Sequence, residues 1–120
     1  MLKNSDVIKK FFMYCGYEEC HNDNISINDK ARQLISFNTV IAEFVRLKRG
    51  NAIKTFLLIN PVKGNAARSK HITEMYRYIM ALKLNYIKVE VEETPSIISP
   101  YNSILLPYTN LIENNWKTLN

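Results

Sequence analysis

The stretch Thr39-Val40-Ile41-Ala42-Glu43-Phe44-Val45-Arg46-Leu47 decides the fold. Val40, Ile41, Phe44, Val45 and Leu47 fit a helix by spacing, while the β-branched and aromatic content fits a strand. The next residues arbitrate. Arg49-Gly50-Asn51 is a tight-turn signal, and Ile53 to Ile59 is a further apolar run. A turn between two such runs favours a hairpin, so the strand reading is preferred for 39–47.

Working toward the N-terminus, Gln33-Leu34-Ile35-Ser36-Phe37 and the alternating Asn24-Ile25-Ser26-Ile27 read as another hairpin across the turn-like Asn28-Asp29-Lys30. Before them, Ile8, Phe11, Phe12 and Cys15 recur at helical spacing, so a helix is expected over roughly 5–15. Asn4 or Ser5 would cap it and Gly16 would stop it. Working toward the C-terminus, Pro61 to Ala67 is a loop. Ser69 to Leu82 is the clearest helix, with Ile72, Met75, Tyr76, Ile79 and Met80 as its stripe. Tyr86 to Glu92 alternates strictly and reads as a strand with one wet face, and Pro95 and Pro100 mark a loop. Tyr108 to Leu119 reads as a last helix, with Asn110 and Glu113 at capping-box spacing. The sum is an α+β class: N-terminal helix, antiparallel β-meander of about four strands, central amphipathic helix, further strand, C-terminal helix.

The chain has 120 residues, one domain's worth, and 47% of them are hydrophobic, enough for a core without disulfide or metal. No apolar run approaches the ~20 residues of a membrane span. The start Met1-Leu2-Lys3-Asn4-Ser5-Asp6 lacks the form of a signal peptide, so a cytoplasmic location is expected. Cys15 and Cys20 are then read as free thiols. Asn and Ile occur 14 times each, a bias toward AT-rich codons that suggests a bacterium, its phage or its plasmid.

The formal charge of +5 is unevenly placed. Between residues 46 and 77 lie Arg46, Lys48, Arg49, Lys54, Lys63, Arg68, Lys70 and Arg77 against the single acid Glu74, or +7; the rest of the chain carries −2. Such a middle suits polyanions: nucleic acid, or an acidic protein face that imitates it. Within it, Lys63-Gly64-Asn65-Ala66-Ala67-Arg68-Ser69-Lys70-His71 feeds the start of the best helix, where Ser69 can cap and an anion would be favoured. It lacks the glycines and Gly-Lys-Ser/Thr ending of a P-loop. Among the tyrosines, Tyr78, on the polar face beside Arg77, is the better stacking candidate, while Tyr76 belongs to the core. Tyr101 and Tyr108 flank proline turns.

Other constellations are poorer. Cys15, Cys20 and His21 have no second ligand pair, so no metal or other cofactor is expected. Glu90, Glu92 and Glu93 have no visible partner for acid–base work. His71 and its serine neighbour point in different directions on a helix, which is no catalytic pair, and a non-enzymatic role is expected.

Asn24-Ile25-Ser26-Ile27, Leu34-Ile35-Ser36-Phe37-Asn38-Thr39-Val40-Ile41-Ala42 and Leu58-Ile59-Asn60 with Lys63, Asn65 and Ser69-Lys70-His71-Ile72 together resemble short phage and prophage proteins of unknown function. Those share a leucine–serine–aromatic–threonine–isoleucine–alanine strand and a serine–lysine–histidine helix start. The resemblance covers roughly residues 24–80. The chain departs from it at Phe37, where tyrosine is usual, at Ala67-Arg68 in place of two threonines, and in a longer connection around Arg46–Ile53. It implies a mobile-element origin and a mostly β core closed by a helix. The expected function is a binding protein, such as an anti-CRISPR-type inhibitor, acting through Arg46, Lys48, Arg49, Lys63, Arg68, Ser69, Lys70, Arg77 and Tyr78 on a host nucleic-acid-handling protein or ribonucleoprotein. The alternative is a small basic DNA- or RNA-binding regulator. Exposed strand edges leave room for pairing between copies.

Overall fold

A computed structural model describes residues 3–13, 24–28, 32–62, 64–92 and 103–119. In chain order they form α1 (Asn4–Met13), β1 (Ile25–Asn28), β2 (Gln33–Ser36), β3 (Thr39–Arg49), β4 (Ala52–Ile59), α2 (Ala66–Ala81), β5 (Tyr86–Lys88), a 3₁₀ turn (Leu106–Tyr108) and β6 (Lys117–Thr118).

The decisive stretch is a strand. β3 pairs with β4 from Ala42↔Ile59 to Arg49↔Ala52, across a turn in which Gly50 takes φ +60°. That positive φ suits glycine and fits the twist a two-residue hairpin turn requires. The helix-like spacing has two physical sources. β3 is covered on both faces, so Val40 to Glu43 are all buried rather than alternating. A bulge also lies opposite Leu34 and Ile35, which pair with Ala42 and Val40, leaving Ile41 as the extra residue. Ile41 and Ala42 therefore both join the core on the helix side.

The four-strand antiparallel meander is present as β1-β2-β3-β4. The further strand, β5, lies parallel to β4, with α2 as the crossover, so the sheet is mixed. β5 is shorter than the alternation predicts. Val89 N–H still donates to the Ile59 carbonyl at 2.7 Å, and beyond it the side chain of Asn60 replaces the ladder: it donates to the Val91 and Val40 carbonyls, and its Oδ1 accepts from Val91 N–H at 3.1 Å.

The expected C-terminal helix is a correction. Leu106–Tyr108 is a single 3₁₀ turn, and the chain then reverses at Asn115, which takes φ +68°. Trp116 N–H reaches back to the Leu111 carbonyl, and its ring packs edge-on against Phe56 at 5.1 Å. Burying Trp116 outweighs the weak helix preference of Asn110, Asn114 and Asn115. The chain ends as β6, which continues the edge of β3 beyond β2.

Helix starts differ by a few residues from the sequence reading. The Lys3 carbonyl accepts from Asp6 and Val7 N–H, and the Asp6 carboxylate accepts from Lys3 N–H, so α1 is capped at Lys3 and not at Asn4 or Ser5. α2 begins at Ala66 because Asn65 Oδ1 accepts from Arg68 N–H at 2.8 Å; Ser69 lies inside the helix. Replacing Asn65 with alanine is expected to cost about 1 kcal/mol, measurable as a lower urea midpoint at unchanged m-value. Gly16, Cys15, Asp29-Lys30, Pro95 and Pro100 lie outside the described residues.

Two cores flank the sheet. On one face, Val7, Ile8, Phe11 and Phe12 of α1 and Ile72, Met75 and Ile79 of α2 meet Leu34, Ile41, Leu57 and Ile59. Met80, expected in this stripe, is exposed, and His71 is buried instead. On the other face, Val45, Leu47 and Leu58 meet Leu105, Leu106, Leu111 and Trp116. The helices run parallel: Lys3, Asn4 and Ser5 of α1 share a groove with Lys70, His71 and Glu74 of α2, while Phe12 stacks on Tyr78.

Candidate polyanion-binding surface

The β3–β4 hairpin runs past both helices, and its far half gathers cations. Alternation puts Arg46 and Lys48 on the face that α1 and α2 cover elsewhere; here both are exposed, as are Ile53 and Thr55 opposite them. β6 places Lys117 directly opposite Lys48. Residues so paired have Cβ atoms about 5 Å apart, and like charges there are destabilising. Arg32, over the Phe44 ring at 4.8 Å, is close enough that burial and the Arg46 charge lower its pKa. On the opposite face Arg49 lies over the Trp116 ring at 4.6 Å, with Lys54 Nζ at 6.0 Å. Among the described residues, no ion pair reaches Arg46, Lys48, Arg49, Lys54 or Lys117.

The rest of the predicted set stands apart. β4 separates the hairpin tip from the start of α2 by about 26 Å at ~3.3 Å per residue. The +7 segment is therefore two clusters and not one stripe. At the helix end, Lys70 is exposed. Arg77 is exposed but ion-paired with Glu74 at 3.2 Å. The Arg68 guanidinium folds over Gly64, where any Cβ would strike it. Ser69 donates to the Asn65 carbonyl at 3.2 Å. Ser69, Lys70, Thr73, Glu74 and Arg77 line an open groove of about 350 Å³. Tyr78 is not a free stacking ring: it lies against Phe12 at 5.7 Å with an interplanar angle of 10°, and burial raises its pKa. Tyr76 is half-buried against the core. Lys63 and Tyr101 lie outside the described residues, and Tyr108 is 59% exposed on the 3₁₀ turn.

Sequence reading missed Lys117 and Arg32. Lys117 reaches the hairpin only through β6, which lay hidden inside an expected helix. It also missed two buried polar contacts. Glu43 Oε1 accepts from Gln33 Nε2 (3.2 Å) and from the N–H groups of Ile104 (2.7 Å) and Leu105 (3.0 Å), and Oε2 accepts from Ser103. Burial pushes this carboxyl's pKa up, and those hydrogen bonds pull it back. Ser36 Oγ meets His71 Nδ1 at 2.8 Å, and Phe37 stacks on the imidazole at 5.8 Å. Phe37 and Asn38 take φ +48° and +66°, forming the β2–β3 turn, an uncommon conformation for so large a ring. Ser36 is fully buried, so this pair ties α2 to the sheet and offers no reachable nucleophile. Burial, then the Arg68 charge, hold the His71 pKa below its usual value.

Among the described residues no cluster of His, Cys, Asp and Glu could hold a metal, and no helix is long and apolar enough to cross a membrane; Cys15, Cys20, His21 and Glu93 lie outside them. No family model, curated protein or solved structure matches the chain.

Proposed function

We propose that this domain is a non-enzymatic module that binds the phosphate backbone of nucleic acid with the far half of its β3–β4 hairpin. One observation carries the reading: Arg46, Lys48 and Lys117 share an exposed sheet face without an acidic partner among the described residues, and Lys48 and Lys117 stand directly opposite. That juxtaposition costs the free protein and is relieved by a polyanion. Arg46 and Lys48 are about 7 Å apart along the strand, a regular spacing for successive backbone contacts. The face carries one large apolar side chain, Ile53, 55% exposed. Protein interfaces build around an apolar core depleted of charge, so the composition favours nucleic acid.

The test is fluorescence anisotropy with random-sequence DNA and RNA at low salt. Saturable binding that ignores sequence is expected; no binding at low salt contradicts the reading. An inhibitor of a host nucleic-acid-handling protein, of the anti-CRISPR type that the phage resemblance suggests, would use the same cations on an acidic protein face. A single stoichiometric partner retained from host lysate after nuclease treatment, with no affinity for free nucleic acid, would favour it.

A further inference from the structure

We propose that the groove between the N-terminus of α1 and the first turns of α2 is a second, separate binding site, for a single phosphate group. Lys3, Asn4, Ser5 and Ile8 of α1 and Lys70, His71 and Glu74 of α2 line about 290 Å³ there. It lies at the opposite end of the sheet from the hairpin tip and does not rest on the nucleic-acid reading.

Two independent features point to an anion. The first is the positive end of the α1 dipole, with the exposed Lys3 and Lys70 beside it. The second is His71. The residue is 1% exposed, and its Nε2 is buried without a hydrogen-bond partner among the described residues. Its Nδ1 is engaged by Ser36 Oγ in the sheet. The Ser36 hydroxyl, itself fully buried, is satisfied as a donor when Nδ1 accepts. In that tautomer the ring proton lies on Nε2, a donor without a partner among the described residues, on a side chain that lines the groove. Stacking on Phe37 fixes the ring, so the donor is preorganised. Phosphate oxygens supply the missing acceptor and accept from the two ammonium groups. Among the described residues Glu74 is the one carboxylate in the lining, and its Oε2 accepts from Arg77 Nη1 at 3.2 Å. Asp6 is engaged with Lys3 N–H.

The phosphate could arrive as the inorganic ion or as a monoester, and the test separates them. Inorganic phosphate and a nucleoside 5′-monophosphate are titrated at constant pH and ionic strength, with the His71 imidazole resonances as readout and chloride as control. Saturable shifts at millimolar phosphate are expected. Tighter binding of the nucleotide identifies an ester; equal affinity identifies the inorganic ion. Lys70→Gln, at an exposed site, should weaken binding about tenfold. His71→Asn removes the Nε2 donor and should abolish binding. Arg46→Gln should leave it unchanged. Absence of shifts with phosphate, or equal shifts in the Lys70→Gln protein, overturns the proposal.

Discussion

Replacing Glu43 with alanine is expected to destabilise the domain by about 3–4 kcal/mol and to loosen the C-terminal segment from the sheet. The carboxylate is fully buried and is the shared acceptor for Gln33, Ser103 and the Ile104 and Leu105 N–H groups. Its removal leaves two backbone donors and two side chains without their acceptor, and opens a cavity between β3 and residues 103–105. Leu105, Leu106, Leu111 and Trp116 form one face of the core, and Glu43 is the polar anchor that places the start of this segment. Trp116 is 5% exposed, so its fluorescence reports the loss. The expected result is a red-shifted emission together with a midpoint lowered by roughly 10–15 °C. A variant as stable as the parent would show that the apolar contacts alone hold the segment.

The same residue gives a pH dependence with a definite sign. Burial raises the folded pKa of Glu43, so the folded state binds its proton more tightly than the unfolded chain does. Its contribution to stability is greatest below the unfolded value and falls as pH rises through the folded pKa. Glu43→Gln cannot titrate. The stability of the parent relative to Glu43→Gln should therefore be greater in mild acid than at neutral pH, read from urea midpoints of the two proteins.

Charge reversal on the hairpin face should have the largest effect on binding. In Arg46→Glu/Lys48→Glu, two cations become two anions beside Lys117, and affinity for any nucleic acid should fall at least 100-fold, about 2.7 kcal/mol or more. Both side chains are exposed and belong to neither core, so the melting temperature should hold or rise as the repulsion with Lys117 disappears. The pair Lys70→Glu/Arg77→Glu, at the other end of the sheet, should weaken binding far less. Equal losses from both pairs would mean that the polyanion spans the molecule.

The elements were legible where burial is one-sided and the punctuation is local. α1, α2 and the Arg49-Gly50-Asn51 turn show themselves in spacing and turn chemistry alone. β3 was ambiguous because a strand buried on both faces, with a bulge at Ile41, carries no period of two. The C-terminal segment misled because Leu111 and Trp116 are brought inward by tertiary packing and Glu43, and neither acts through local spacing. The candidate surface was half legible. Arg46, Lys48 and Arg49 are close in sequence and share the hairpin. Lys117 joins them only through strand pairing across some seventy positions of chain, as a long-range contact that no composition window detects. Ser36 and His71, 35 residues apart, meet for the same reason.

The central claim is that Arg46, Lys48 and Lys117 together contact phosphates. The most direct test is the salt dependence of single-stranded nucleic-acid affinity in the parent and in Arg46→Gln/Lys48→Gln/Lys117→Gln. Each cation that neutralises a phosphate contributes about 0.7 to the slope of log K against log salt. The parent slope is expected to be steeper than about −2, and that of the triple variant shallower by about 2. Equal slopes in the two proteins, or affinity in the parent that does not change with salt, would contradict the claim.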